Sequence, residues 1–250
     1  MKSKRIKQKA LIFAVIFAMM AFVSGESTSA TTVLVPDDYA TIQEAVDAAN
    51  AGDMIIVRDG TYRENIDVKK RLTLKSEKGS ENCNVQAAAP DDHVFNVSAD
   101  HIEISGFSVE GANDYKKAGI DLHADYCNIS NNTCSSNNEY GIYLEWSDNN
   151  FIYLNNLINN CKGVYYTGSE NIWNTTEKIT YTYNGSTYSN SLGNYWADYT
   201  GNDANDDEIG ETPYRIKSDE DNYPLMLPWQ NYIPEETRAA ENKKKALPKE

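Results

Sequence analysis

The sequence predicts an all-β protein, a single-stranded right-handed parallel β-helix with an N-terminal capping helix and an irregular C-terminal cap. The main observation is a repeat. Three segments recur at a spacing of 22 residues, each with a glycine before an apolar strand: Gly119-Ile120-Asp121-Leu122, Gly141-Ile142-Tyr143-Leu144 and Gly163-Val164-Tyr165-Tyr166. A unit this short cannot bury its apolar side alone, so stacked units must share one core. We expect about five to six coils.

Asparagines form the second observation. Asn131-Asn132 and Asn155-Asn156 follow matching strands in consecutive repeats. Asparagines that recur at one corner of a stacked structure can join through their amide groups into hydrogen-bonded ladders. The sequence therefore predicts such ladders between neighbouring coils.

The segment before the repeats predicts a capping helix. Thr41-Ile42-Gln43-Glu44 fits a capping box, and apolar residues from Ile42 to Ala49 follow helical spacing. Asn50 to Asp53 ends the helix before the apolar strand Met54-Ile55-Ile56-Val57. A helix at this position would cover the open end of the solenoid, which otherwise exposes unpaired strands and core.

Composition and charge divide the chain into four parts. Residues 1–30 have the basic, apolar and small-residue regions of a secretory signal peptide. Residues 31–190 hold the N-terminal cap and the β-helix, 191–232 a C-terminal capping motif, and 233–250 a charged disordered tail. The leader indicates a secreted or cell-surface protein, and no later stretch approaches membrane-spanning length. The net charge of −14 disfavours nucleic acid as a partner.

Three groups of residues resemble a known family. The segment from Tyr39 to Tyr62 resembles the N-terminal cap of pectin-lyase-like β-helices, and the Gly-Ile-x-Leu and Asn-Asn coils resemble the NosD-type repeat. Asn194-Tyr195-Trp196-Ala197-Asp198-Tyr199, together with Asp221-Asn222-Tyr223-Pro224, is similar to the closing motif of NosD-like repeat proteins. The resemblance covers residues 33 to about 229. It implies a β-helix of the kind found in archaeal cell-surface proteins.

Alternation along the repeated strand places a group of polar and aromatic residues on one outer face. Ile120 and Leu122 point inward, so the residues between and after them point outward and stack in two columns. The columns are Asp121, Tyr143, Tyr165 and His123, Glu145, Thr167, with Tyr140 and Trp146 nearby. Tyrosine faces suit sugar rings and carboxylates suit sugar hydroxyls, so we expect this exposed face to bind a ligand. An ordinary solvated sheet face is the alternative.

Two of these residues also permit catalysis. Paired carboxylates cleave glycosidic bonds, and Asp121 and Glu145 lie on adjacent coils. The further carboxylates of polygalacturonase-like helices are missing, as are the catalytic strand of pectin methylesterases and the Ca²⁺ and arginine arrangement of pectate lyases. These absences favour a protein that is not an enzyme, with a polysaccharide-degrading enzyme as the alternative.

The acidic stretch in the cap suits a cation. Oxygen ligands recur at alternate positions, which favours structural Ca²⁺, with a solvated acidic turn as the alternative. The expected ligands are Asp203, Asn205, Asp207 and Glu211. The NosD resemblance also implies an association with copper. Because the chain has three histidines (His93, His101, His123), no Met-rich tract and no CxxC pair, the sequence does not support a copper cofactor.

These observations leave three functions open. The first is an exported non-catalytic β-helix protein, glycan-binding or structural at the cell surface, whose partner is an extracellular or envelope polysaccharide or glycoprotein. The second is a polysaccharide hydrolase or lyase of the pectin-lyase-like fold. The third is a NosD-like periplasmic accessory protein related to copper.

Overall fold

The computed structural model describes residues 30–167 and 170–232. The predicted leader, apart from residue 30, and the predicted charged tail lie outside these described residues. The compact unit of the chain begins at Thr31. In the ranges that the structure describes, no helix is both long enough and apolar enough to cross a bilayer.

Three parallel sheets form the body, and each coil contributes one strand to sheets A, B and C in turn. Sheet A contains β1 (Thr32–Val35), β2 (Met54–Val57), β5 (Thr73–Ser76), β8 (Glu103–Ser105), β11 (Asn128–Ser130) and β14 (Phe151–Tyr153). Sheet B contains β3 (Gly60–Arg63), β6 (Cys83–Gln86), β9 (Ser108–Glu110), β12 (Thr133–Ser135), β15 (Asn156–Ile158) and β19 (Tyr195–Trp196). Sheet C contains β4 (Ile66–Val68), β7 (Phe95–Val97), β10 (Ala118–Leu122), β13 (Tyr140–Glu145) and β16 (Lys162–Thr167). The parallel β-helix, with about six turns, is confirmed.

Helix α1 (Ile42–Ala48) covers the start of the solenoid, as predicted. Thr41 and Glu44 form the capping box, and the carboxylate of Glu64 accepts the next two backbone N–H groups, those of Ile42 and Gln43. The buried side of the helix packs against β1, β2 and β4. These contacts satisfy the helix N-terminus and shield the first coil from solvent.

Two antiparallel hairpins and a short helix follow the last strand of sheet C, and the first hairpin lies before residue 191, where the predicted cap begins. Strands β17 (Ile179–Tyr183) and β18 (Ser186–Asn190) pair antiparallel, as do β20 (Tyr214–Ile216) and β21 (Asp219–Asp221). A 3₁₀ helix follows at Trp229–Tyr232. Strand β19 belongs to the predicted closing motif, yet it also extends sheet B through its pairing with β15. The cap thus continues the solenoid before it closes it.

The repeated glycines lie where neighbouring coils approach most closely. A Cβ atom on Gly141 would lie 2.8 Å from the carbonyl oxygen of Gly163 and 2.9 Å from the amide nitrogen of Asn160. Gly119 is equally confined, by the carbonyl of Gly141 and the amide of Asn137. No side chain fits at these positions, which explains why glycine recurs every 22 residues.

The predicted asparagine ladders are confirmed. The amide oxygen of Asn155 accepts the backbone N–H of Asn132, and the amide oxygen of Asn194 accepts that of Asn155. Each amide nitrogen also donates to a carbonyl of the preceding coil, that of Ile104, Ile129 or Ile152. All three asparagines are fully buried. The ladder satisfies backbone groups at a corner where the sheets cannot pair them.

Candidate functional site

The first predicted column on the outer face of sheet C is in register, since Asp121 pairs with Tyr143 and Tyr143 with Tyr165. In the second column, Glu145 pairs with Thr167. We call Asp121, His123, Tyr143, Glu145 and Tyr165, together with Trp146 next to Glu145, the sheet C patch. The expected exposure was wrong for two members, because Asp121 is 4% exposed and Tyr143 is 6% exposed. Neighbouring rings on the outer face cover them.

Tyrosine rings in the patch pack against one another. Tyr143 and Tyr165 stack with centroids 4.7 Å apart and planes 8° from parallel, and Tyr140 tilts against both. The ammonium group of Lys217 lies 4.1 Å from the centroid of Tyr165. The tyrosine faces that we expected to bind sugar rings are therefore already covered by their neighbours in the stack. Trp146 follows Glu145, and its side chain is 76% exposed to solvent.

Asp121 of the patch contacts two histidines. Its Oδ2 atom lies 3.1 Å from Nε2 of His123 and 3.5 Å from Nε2 of His93. Its Oδ1 atom is buried and has no hydrogen-bond partner in the described part of the chain. Burial raises the pKa of Asp121 to about 6, although the nearby His123 and Lys117 lower it. The structure thus holds a carboxyl group whose pKa lies well above the ordinary range of aspartate.

His93 is a member of the site that the sequence analysis missed. Its Nδ1 atom accepts the backbone N–H of Ala118 at 3.1 Å, so a neutral ring carries its proton on Nε2, toward Asp121. Burial lowers the pKa of His93 to about 4, and the charge of Lys117 adds to this effect. The coil from Phe95 to Ile120 has 25 residues instead of 22, so the strict repeat did not align His93 with the patch.

The acidic loop of the cap uses its carboxylates to hold its own backbone. Asp203 accepts the N–H groups of Asp207 and Glu208, and Asp207 accepts that of Ile209. Glu211 reaches back to the N–H of Ala204, and Asn205 accepts the N–H of Asp207. Such bonds fold a tight turn without an ion. Ca²⁺ at Asp203, Asn205, Asp207 and Glu211 stays a prediction, and calorimetric titration with Ca²⁺ would check it.

Copper ligands do not assemble in the described ranges. No three side chains of His, Cys, Asp or Glu come together there at metal-binding geometry. Burial raises the pKa of Cys83 to about 12, that of Cys127 to about 11 and that of Cys134 to about 12, so these thiols stay protonated. The expectation that copper is not a cofactor stays a prediction.

Fold and site together define a class, the parallel β-helix proteins whose coils carry a stacked outer patch. Residues 67–201 match the family profile described as NosD, periplasmic copper-binding protein. The chain therefore belongs to the NosD family, which confirms the resemblance seen in its repeats. That description characterises the family as a whole.

A curated relative and solved structures complete the comparison. Over 98 residues, 38% of this chain, the sequence is 36% identical to a cell surface glycoprotein of Methanothermus fervidus, and the match spans 15% of that protein's length. A pectin methylesterase from Aspergillus niger aligns with a TM-score of 0.42 and 18% identity over 52% of this chain and 49% of that one. A pectin methylesterase from Erwinia chrysanthemi aligns with a TM-score of 0.34 and 10% identity over 68% and 89%.

Proposed function

We propose that this protein is an extracytoplasmic, cell-surface β-helix that binds glycan through the sheet C patch and does not cleave it. Membership of a family described as periplasmic and similarity to a cell surface glycoprotein support the location. The stacked strands supply a rigid frame, on which ligand-binding groups are held in fixed positions. The glycan and the absence of cleavage are the parts of the proposal that experiment must test.

A single observation supports glycan binding best: an exposed indole follows directly on a polar cluster. Trp146 is 76% exposed, Glu145 precedes it, and the imidazole of His123 beside Asp121 is 40% exposed. The apolar C–H face of a sugar ring packs against an indole, while carboxylate and imidazole groups bond to its hydroxyls.

The test compares the binding of labelled polysaccharides to the native protein, to Trp146→Ala and to Tyr115→Ala. We expect Trp146→Ala to weaken binding by about tenfold or more, which corresponds to about 1.4 kcal/mol. Tyr115→Ala is the matched control, because Tyr115 is 71% exposed but lies in the loop before β10. Equal binding by all three proteins would contradict the role of the sheet C patch.

Catalysis is the second candidate, and the pKa of Asp121 is the observation that favours it. A carboxyl group with a pKa of about 6 can donate a proton near neutral pH, as a general acid must. The charge of Glu145 contributes to that raised pKa, so the two carboxyl groups interact. If the protein shortens a glycan, Glu145→Gln should abolish turnover and retain binding. Intact glycan after long incubation would exclude this candidate for the substrate used.

A further inference from the structure

A cleft on sheet A is built from parts of the chain that are far apart in sequence. It has a volume of about 340 Å³. Its floor is an outward column of sheet A, in which Lys75, Ser105, Ser130 and Tyr153 lie in register on four consecutive coils. The turn at residues 76–81 and the 3₁₀ helix at Trp229 line its sides. We call this feature the sheet A cleft.

Hydrogen bonds join the two sides of the cleft. The amide nitrogen of Gln230 donates to the hydroxyl of Ser80 at 3.3 Å across 150 positions of sequence. The amide nitrogen of Asn156 donates to the amide oxygen of Gln230, and the amide oxygen of Asn156 accepts the backbone N–H of Trp229. The sheet A cleft is thus a fixed feature of the fold, since its two sides are held by the cap and by the solenoid.

Two polar groups of the cleft are left unsatisfied. Trp229 and Ser105 are each 6% exposed, and neither the indole N–H nor the serine hydroxyl has a hydrogen-bond partner in the described ranges. A buried polar group without a partner costs about 1–3 kcal/mol, so folded proteins seldom keep one without a use. Both residues line the sheet A cleft. A ligand that accepts from the indole N–H and bonds to the hydroxyl would satisfy both groups.

The rest of the lining narrows the class of ligand. Aromatic rings come from Tyr153 and Trp229, and hydroxyls from four serines: Ser76, Ser80, Ser105 and Ser130. Lysines and glutamates both lie on the cleft, and Lys78 is paired with Asp59, so no single charge dominates. Aromatic rings with hydroxyl and amide groups suit a neutral, polyhydroxylated molecule, and the volume lies at the lower end for small-ligand sites, about 300–1,000 Å³.

We infer that the sheet A cleft binds a short neutral saccharide, a mono- or disaccharide unit, through the indole N–H of Trp229 and the hydroxyl of Ser105. This site lies on a different sheet from the sheet C patch, so it goes beyond the proposed function. A single β-helix would then have two separate carbohydrate sites, one for a long chain on sheet C and one for a short unit on sheet A.

Indole N–H resonances provide a direct test. The protein has four tryptophans: Trp146, Trp173, Trp196 and Trp229. The indoles of Trp173 and Trp196 donate to Asp219 and Asp221, so they serve as internal references. The probes are glucose, galactose, mannose, N-acetylglucosamine, maltose, cellobiose and lactose, each at millimolar concentration. We expect at least one of them to shift the Trp229 resonance and to leave the two references in place.

Variants separate this site from the sheet C patch. Trp229→Phe keeps a ring but removes the N–H, and Ser105→Ala removes the hydroxyl at small cost in volume. We expect each to weaken binding by about tenfold, the equivalent of one lost hydrogen bond. Tyr115→Ala, at an exposed tyrosine outside both sites, is the control and should bind the same sugar as the native protein.

The outcomes are distinguishable. If every probe leaves the Trp229 resonance unmoved, or a probe shifts the Trp146 resonance alone, the inference about the sheet A cleft is wrong. The second result would still support the sheet C patch. Conversely, a shifted Trp229 resonance in a protein that binds no polysaccharide would support the sheet A cleft and contradict the proposed function.

Discussion

Asp221 accepts a 2.7 Å hydrogen bond from the backbone N–H of Asn194, and this bond ends the ladder that begins at Asn132. Each earlier rung uses an amide oxygen to accept the N–H of the preceding coil. The last rung has no further coil, and a carboxylate from β21 takes the place of the next asparagine. In a second ladder the amide oxygen of Asn171 accepts the N–H of Asn150, and this ladder ends in the same way, since Asp219 accepts the N–H of Asn171. The cap thus closes two ladders with neighbouring carboxylates of one hairpin.

The first prediction concerns Asp221. Its carboxylate also accepts the indole N–H of Trp196 and the N–H of Tyr223, and it is fully buried. Asp221→Ala leaves two buried donors and one partly buried donor unpaired, and we expect it to lower the free energy of unfolding by about 3–5 kcal/mol. Asp221→Asn keeps one acceptor oxygen and should cost about 1–2 kcal/mol. Urea unfolding measures both, and equal stability of native protein and Asp221→Ala would contradict the ladder's role.

The repeated glycines give the second prediction. Gly141→Ala would place a methyl group 2.8 Å from the carbonyl oxygen of Gly163. Because that oxygen belongs to the backbone, the contact can be relieved only if the two coils move apart. We expect a loss of about 1–3 kcal/mol in the free energy of unfolding, as for other overpacked interiors. Ser186→Ala, on the exposed β17–β18 hairpin, is the control and should change stability little. A Gly141→Ala protein with native stability would show that the coils can separate at this corner.

The third prediction concerns pH and the pair Asp121 and His93. The folded pKa of Asp121, about 6, is above its ordinary value of 3.8, so this group stabilises the fold below pH 3.8 and loses that effect as pH rises to about 6. Asp121→Asn should therefore gain stability relative to the native protein as pH rises from 4 to 6. The full gain is roughly 3 kcal/mol.

His93 should behave in the opposite way. Its folded pKa of about 4 is below the ordinary 6.5, so its contribution is present at neutral pH and is lost as pH falls from 6.5 toward 4. His93→Gln should therefore gain stability relative to the native protein as pH falls through that range. Urea unfolding at a series of pH values compares the two variants. Parallel curves for native protein and both variants would contradict the assigned pKa shifts.

The fourth prediction concerns the cysteines. Cys83, Cys127 and Cys134 are buried free thiols, whereas Cys161 is exposed. Because a thiol reacts as its thiolate, we expect an alkylating reagent to label Cys161 alone in the folded protein. Mass spectrometry of the native protein should show one adduct, and the same chain in denaturant should show four. Rapid labelling of a second cysteine under native conditions would indicate a more open core.

The repeat made most of the fold predictable from sequence. The capping box at Thr41, the strand Met54–Val57 and the asparagine ladder each follow from a local pattern, and each is present in the structure. Strand β1 was not predicted, because its four residues precede the helix and gain their pairing only from β2. It lies outside the repeated segments, so the repeat did not mark it.

The candidate site was only partly predictable, for reasons of geometry. Register follows from spacing, so the alignment of Asp121 with Tyr143 was available from sequence. Burial depends on how neighbouring rings fill space, and stacking of Tyr143 on Tyr165 removed the expected exposure. The sheet A cleft lay beyond sequence reasoning altogether, since it needs the contact between Ser80 and Gln230.

Size separation of labelled polysaccharides after incubation with the protein tests the central claim most directly. The proposed function predicts that at least one glycan migrates with the protein and keeps its full length, and that Trp146→Ala releases it. Shortened glycan would contradict the non-catalytic account and direct attention to Asp121 and Glu145. Glycans that all emerge unbound and uncut would contradict glycan binding itself and leave a structural role at the cell surface.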